Sequence, residues 1–160
     1  MEKAYLAIVE GAPTWDRKTI DASLSVGSDV VRIKVEVGRA DGKEAITEVE
    51  VVSRHVDAQG AAFSVIRARP RTGRQHQIRA HLGHAGLPLV GDKIYGPDEA
   101  IFDRFSRREL TDADRARLRL DRHALHAWRL ALPHPVTGAR VAFEAPLPDD
   151  LRRLWDAATG

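Results

Sequence analysis

The sequence contains no cysteine, which excludes both a disulfide framework and a cysteine-based zinc site. It has no apolar run of membrane-spanning length, and its first residues, Met1-Glu2-Lys3-Ala4-Tyr5, form no apolar signal core. The expectation is therefore a soluble, cytoplasmic protein. Charge of one sign is also lacking, because the formal net charge is only +2, so overall charge says little about partners. There is no G-x-G-x-x-G, no Walker loop and no serine in a nucleophile-elbow pattern. No internal repeat, low-complexity tract or linker divides the chain. What is present is 43% apolar residues over 160 positions, enough for the core of one domain.

The pattern along the chain gives strands first. Residues 3–9 read as a short strand ended by Glu10-Gly11-Ala12-Pro13. Residues 29–37 alternate, with Val31, Ile33, Val35 and Val37 on one face and Arg32, Lys34 and Glu36 on the other, the period of a half-buried strand. Residues 45–53 and 61–69 read as an antiparallel hairpin across Asp57-Ala58-Gln59-Gly60. Thr72-Gly73-Arg74-Gln75 then matches a capping box. It opens a helix from about 74 to 85 with Ile78, Leu82 and Ala85 on one face, stopped at Gly86 ahead of Pro88. Helices are also expected over 99–109, from Thr111 onward, and after Pro148, where Leu151, Leu154 and Trp155 recur. Residues 126–132 and 140–145 read as a further strand pair. The fold class is α+β, a mixed and largely antiparallel sheet with flanking helices in a single domain over 1–160.

The charges are uneven. From Arg67 to Lys93 there are six cations (Arg67, Arg69, Arg71, Arg74, Arg79, Lys93) against one anion, Asp92. Such an excess is either a phosphate-binding footprint or a solvated basic face. The amides at the start of the helix, beside Arg71 and Arg74, make an anion site. Arg79 follows Ile78 and stands at the core margin, where a cation needs an acidic partner. It reads either as a structural ion pair or as an arginine that orients an active-site carboxylate. His76, His81 and His84 lack zincin spacing, and capping or phosphate contact is the favoured reading over a metal site. Trp15, Trp128 and Trp155 read as core or rim aromatics.

The blocks T-G-R-Q-H-Q-I-R-A-H-L (72–82) and G-L-P-L-V-G-D-K-I-Y-G (86–96) closely resemble the RluA-type RNA pseudouridine synthases. Lys3-Ala4-Tyr5-Leu6-Ala7, Gly42-Lys43-Glu44-Ala45-Ile46-Thr47, Leu125-His126-Ala127 with Leu130 and His134-Pro135, and Ala145-Pro146-Leu147-Pro148 resemble further family segments, so the likeness covers nearly the whole chain. The resemblance implies a pseudouridine synthase-like fold and isomerisation of uridine to pseudouridine in ribosomal or transfer RNA, with no cofactor and no metal. It implies an aspartate nucleophile acting on a flipped-out uridine. It gives Tyr5 the role of packing on the base and taking part in proton transfer, and Arg79 the role of pairing with the aspartate. Arg71, Arg74, Gln75, His76 and Lys93 are the residues expected to bind RNA.

The family's H-R-L-D-x-x-T-S-G block, which carries that aspartate, does not occur in these 160 residues. Asp121, in Arg119-Leu120-Asp121-Arg122, is a decoy: it runs into the late L-H-A segment and lacks T-S-G. The chain is therefore expected to be inactive alone, to leave Arg79 without its acid, and to expose a sheet edge and an apolar face. Pairing with a separate N-terminal segment, or self-association, follows as an expectation, with no membrane partner. The alternative is a non-catalytic RNA-binding module or truncated paralogue.

Overall fold

Burial alternates with period two along residues 46–50, whereas the strands at 2–10 and 62–70 are buried in consecutive runs because both of their faces are covered. In the computed structural model, which describes residues 1–26, 34–57, 59–96 and 98–156, the chain forms β1 (Glu2–Glu10), β2 (Arg17–Asp21), β3 (Leu24–Val26), β4 (Val35–Val37), β5 (Ile46–Val56) and β6 (Ala62–Pro70). There follow α1 (Gln77–His84), α2 (Glu99–Ser106), α3 (Asp112–Leu118), β7 (Leu125–Pro133), β8 (Arg140–Glu144) and α4 (Asp149–Asp156). The strands make a six-stranded sheet in the order β2-β5-β6-β1-β7-β8 and a separate ribbon of β3 and β4. Every pairing between named strands is antiparallel, so the parallel component implied by a mixed sheet is absent among the described residues. Most of the alternating segment expected over 29–37 lies outside them; its end is β4, where Val35 is buried.

Side chains alternate across a strand, and both faces of the sheet are used. Ala7 and Val9 of β1, Ile66 and Ala68 of β6, and Val49 of β5 form one core with Ile78 and Leu82 of α1. Ile8, Phe63 and Val65 form a second core on the opposite face with Val90, Ala124 and Leu151 of α4. Each of the larger side chains, from Val to Phe, contributes about 1.5–3 kcal/mol on burial, so α1 and α4 clamp the central strands from the two sides. The expected bare apolar face is thus covered at its centre; Phe143 and Val136, near the β8 edge, stay exposed.

The α1 terminus departs from the capping-box expectation. The helix begins at Gln77, and its N-cap, His76, has φ 53° with no side-chain cap. Gln77 instead ties down the turn that leads into the helix. Its Oε1 accepts from the Arg74 amide (3.0 Å) and the Thr72 hydroxyl (2.8 Å), and its Nε2 donates to Ile46 O (2.9 Å) and Thr47 Oγ1 (3.0 Å). One buried amide therefore satisfies the turn and stitches α1 to the start of β5. At the other end Leu87 N bonds Leu82 O and Gly86 N bonds Gly83 O, with Gly86 at φ 76°. This is the left-handed stop its position predicts. The capping box that does form is on α3, between Thr111 and Asp114.

Candidate active site

Arg79 leaves α1 one residue after core-facing Ile78 and runs into the glycine-bracketed loop 91–96. Its Nε donates to Asp92 Oδ2 and its Nη2 to Asp92 Oδ1, both at 2.8 Å. The arginine side chain is 10% exposed and the aspartate side chain 0%. Asp92 Oδ1 also accepts the amides of Ile94 (2.9 Å) and Tyr95 (3.0 Å). Burial pushes the Asp92 carboxyl up, but the Arg79 bonds and charge and the two amides outweigh it and hold it below the usual carboxylate range. The expectation that Arg79 would lack an acid is corrected: the chain supplies Asp92, the one anion in the basic stretch. That solitary charge was the signal that could have identified it.

Aromatic and imidazole groups frame this pair. The Arg79 guanidinium carbon lies 5.2 Å from the Tyr95 ring centroid, within cation–π range. The Tyr95 hydroxyl accepts the Val35 amide (2.8 Å) and meets His76 Nδ1 at 3.1 Å. His123, which sequence reasoning passed over, is half-buried nearby; burial and then the Arg79 charge lower its pKa. Burial likewise raises the Tyr95 hydroxyl. On the Tyr95 side the pair thus meets an aromatic ring and two imidazoles, while the cavity on the far side of Asp92 is lined by Glu10, Asp98 and Arg117.

Tyr5 stands in mid-β1, opposite Ala68 of β6 and Ala127 of β7. It packs against the core that contains Ile78 and Leu82, so it shares a side of the sheet with the helix that bears Arg79. No hydrogen bond or ring contact joins Tyr5 and Arg79 among the described residues. Tyr5 lines a cleft of about 300 Å³ with Lys3, Ala127, Leu130, Phe143 and Ala145.

The five residues expected to bind RNA do not form one patch. Arg74 and Gln75 line one cleft with Lys43 and Gly73, and Arg74 Nε donates to Glu44 O (3.0 Å). Arg71 binds Glu48 and lines a different cleft with Arg67, Arg69 and Trp128. There the Arg67 guanidinium covers the Trp128 ring at 5.3 Å. His76 turns to Tyr95. Lys93 donates to Asp121 O (2.5 Å) and lies over Phe105. Asp121 itself is exposed in a bend after α3, as expected of a surface residue. No helix among the described residues is long and apolar enough to cross a membrane.

Residues 1–84 match the family model described as RNA pseudouridylate synthase. A ribosomal large subunit pseudouridine synthase D of Neisseria meningitidis is 36% identical over 96% of this chain and 38% of its own length. The protein of the same name from Pseudomonas aeruginosa is 39% identical over 97% of this chain and 44% of its own length. Among solved structures, human RNA pseudouridylate synthase domain containing 1 superposes with a TM-score of 0.70 at 28% identity, covering 94% of this chain and 57% of that one. The chain spans less than half the length of these curated relatives.

Proposed function

Since the chain belongs to the RNA pseudouridylate synthase family, we propose that it forms the arginine- and tyrosine-bearing part of a site that isomerises uridine to pseudouridine in RNA. Ribosomal RNA is the favoured substrate, because the similar bacterial proteins are named for the large ribosomal subunit. The observation that carries the reading is Arg79: a nearly buried guanidinium on the Tyr5 side of the sheet with only one of its edges occupied by Asp92. A cation at that place keeps a neighbouring carboxylate ionised, as a nucleophile requires. Tyr5 offers a ring at the wall of an open cleft, where an extruded base can stack. Arg74, Gln75 and Lys43 supply a polar surface for the RNA backbone. The nucleophilic aspartate comes from outside these 160 residues, either from a segment continuous with them or from a separate piece.

The test is tritium release from RNA carrying 5-tritiated uridine. The 160-residue chain alone gives no release, and adding a polypeptide with the H-R-L-D-x-x-T-S-G block restores it. Release by the chain alone that disappears in Asp121→Asn would defeat the reading. A second reading, an RNA-binding module without catalysis, is favoured by one observation: the Arg79–Asp92 pair is complete without a nucleophile. Salt-sensitive RNA binding with no turnover in the complemented protein would select it.

A further inference from the structure

We propose that Asp92 is a positioning residue: by clamping the Nε/Nη2 edge of Arg79, it turns the opposite Nη1/Nη2 edge into a fork for a second carboxylate. The inference rests on the catalytic reading above for the identity of that second acid, but not for the geometry. A guanidinium carries five N–H donors in a rigid plane. Asp92 takes two of them, one from Nε and one from Nη2. The remaining edge matches a carboxylate in the same bidentate way, and Nη1 makes no hydrogen bond to a described residue. A residue whose only task was to neutralise Arg79 would not need the bracing that Asp92 has.

That bracing is extensive. The amides of Ile94 and Tyr95 fix Oδ1, so the carboxylate cannot rotate to follow the arginine. The loop around it is closely packed as well. Gly91 has φ 75°, and a Cβ there would collide with the Arg122 carbonyl. A Cβ at Gly96 would collide with the carbonyl of Asp92 itself. The Tyr95 ring lies 5.2 Å from the guanidinium carbon, and its hydroxyl is in turn held by the Val35 amide. The occupied edge of Arg79 is thus set by one six-residue loop, and a working partner would arrive on the open edge.

Two measurements test this. In the 160-residue chain, the side-chain nitrogen resonances of Arg79 are followed by NMR during titration with acetate. Resolved Nη1 and Nη2 signals that shift with acetate are expected in the native chain. In Asp92→Asn the two signals merge and the acetate response disappears, while the backbone spectrum stays native-like. Arg79→Lys keeps the ion pair but loses the fork, so its acetate affinity falls about tenfold, the weight of one charge-assisted hydrogen bond. In the protein complemented with the aspartate block, Asp92→Asn lowers kcat on the order of 10–100-fold at nearly constant KM for RNA, the scale seen when the group that orients a working residue is removed. An unchanged acetate response in Asp92→Asn overturns the proposal. If that variant does not fold, an unchanged affinity in Arg79→Lys overturns it instead. No turnover in any protein, together with the expected acetate behaviour, sinks the catalytic reading and leaves the clamp standing.

Discussion

Two arginine–carboxylate systems sit on opposite sides of the same sheet and have little in common beyond their chemistry. On the α1 side, Arg79 and Asp92 meet with side chains 10% and 0% exposed. On the other side, Glu50 of β5 receives Arg17 (3.1 Å) and Arg67 (3.0 Å), with Arg17 80% and Glu50 24% exposed. The buried pair is braced by amides and glycines. The open one is an ordinary cross-strand ladder, Arg17 and Arg67 each standing opposite Glu50 in register. The difference teaches where a change of charge should matter. A buried ion whose partner is removed is left uncompensated, whereas an exposed one is rescued by water and screened by salt.

The largest expected effect is therefore that of Asp92→Ala. It leaves a nearly buried guanidinium without its acid and two loop amides without an acceptor, and the cost is about 3–5 kcal/mol. Urea denaturation of the variant should show the midpoint fall with little change in slope. A loss below about 1 kcal/mol, the scale of exposed pairs, would mean that solvent reaches Arg79 and would erase the distinction between the two regions.

The sequence made the scaffold of this comparison legible and left its centre obscure, for physical reasons. Residues 45–53 could be placed because Thr47, Val49 and Val51 share one face, and 61–69 because the Asp57-Ala58-Gln59-Gly60 turn makes it their hairpin partner. The stop at Gly86 could be placed because only glycine readily takes its positive φ. The start of α1 was misplaced because Thr72 and Gln75 satisfy a local rule, while the turn into the helix is held by Gln77, whose amide also reaches Ile46 and Thr47 some thirty residues away. The partner of Arg79 was missed for the same reason: Asp92 is thirteen positions off, across a helix end and a loop, where no periodicity connects the two. Arg79 was marked by its place beside Ile78 and Tyr5 by the resemblance alone, and the sheet sides they occupy emerged only from register and packing.

The next effect is a loss of stability on acidification, and it again separates inside from outside. His81 is fully buried on α1. Its Nε2–H donates to Ala22 O (3.0 Å), and its Nδ1 meets Thr47 Oγ1 at 2.9 Å. Thr47 Oγ1 accepts from Gln77 and keeps its own hydrogen to donate to His81 Nδ1, the arrangement that suits a neutral ring. Burial lowers the pKa of His81 from 6.5. A base depressed in the folded state contributes stability that is complete above its unfolded pKa and is lost as pH falls below it. Asp92, also depressed, adds a second loss below 3.8. Denaturation midpoints should hold from pH 8 to 7 and decline below about 6.5; His81 and His123, both depressed by burial, share that first decline, and His81→Gln should lessen it. A profile level down to pH 5 would show that His81 is not confined as a neutral ring.

The smallest effect is expected from Arg17→Ala on the open side. Arg17 is four-fifths exposed, its long side chain loses rotamer freedom in holding Glu50, and Arg67 keeps its own bond to the same carboxylate when Arg17 is gone. The double occupancy of Glu50 makes each arginine partly redundant, so the change should cost less than about 1 kcal/mol and shrink further in high salt. Measuring Arg17→Ala, Arg67→Ala and the double variant sharpens the point. The pair should cost more than the sum of the single changes, because only the double variant leaves Glu50 with no close cation but Arg69, at 3.9 Å. Simple additivity, or a single-variant cost approaching that of Asp92→Ala, would mean that this face is shielded from water in the molecule and that the contrast between the two sides of the sheet is one of bracing alone.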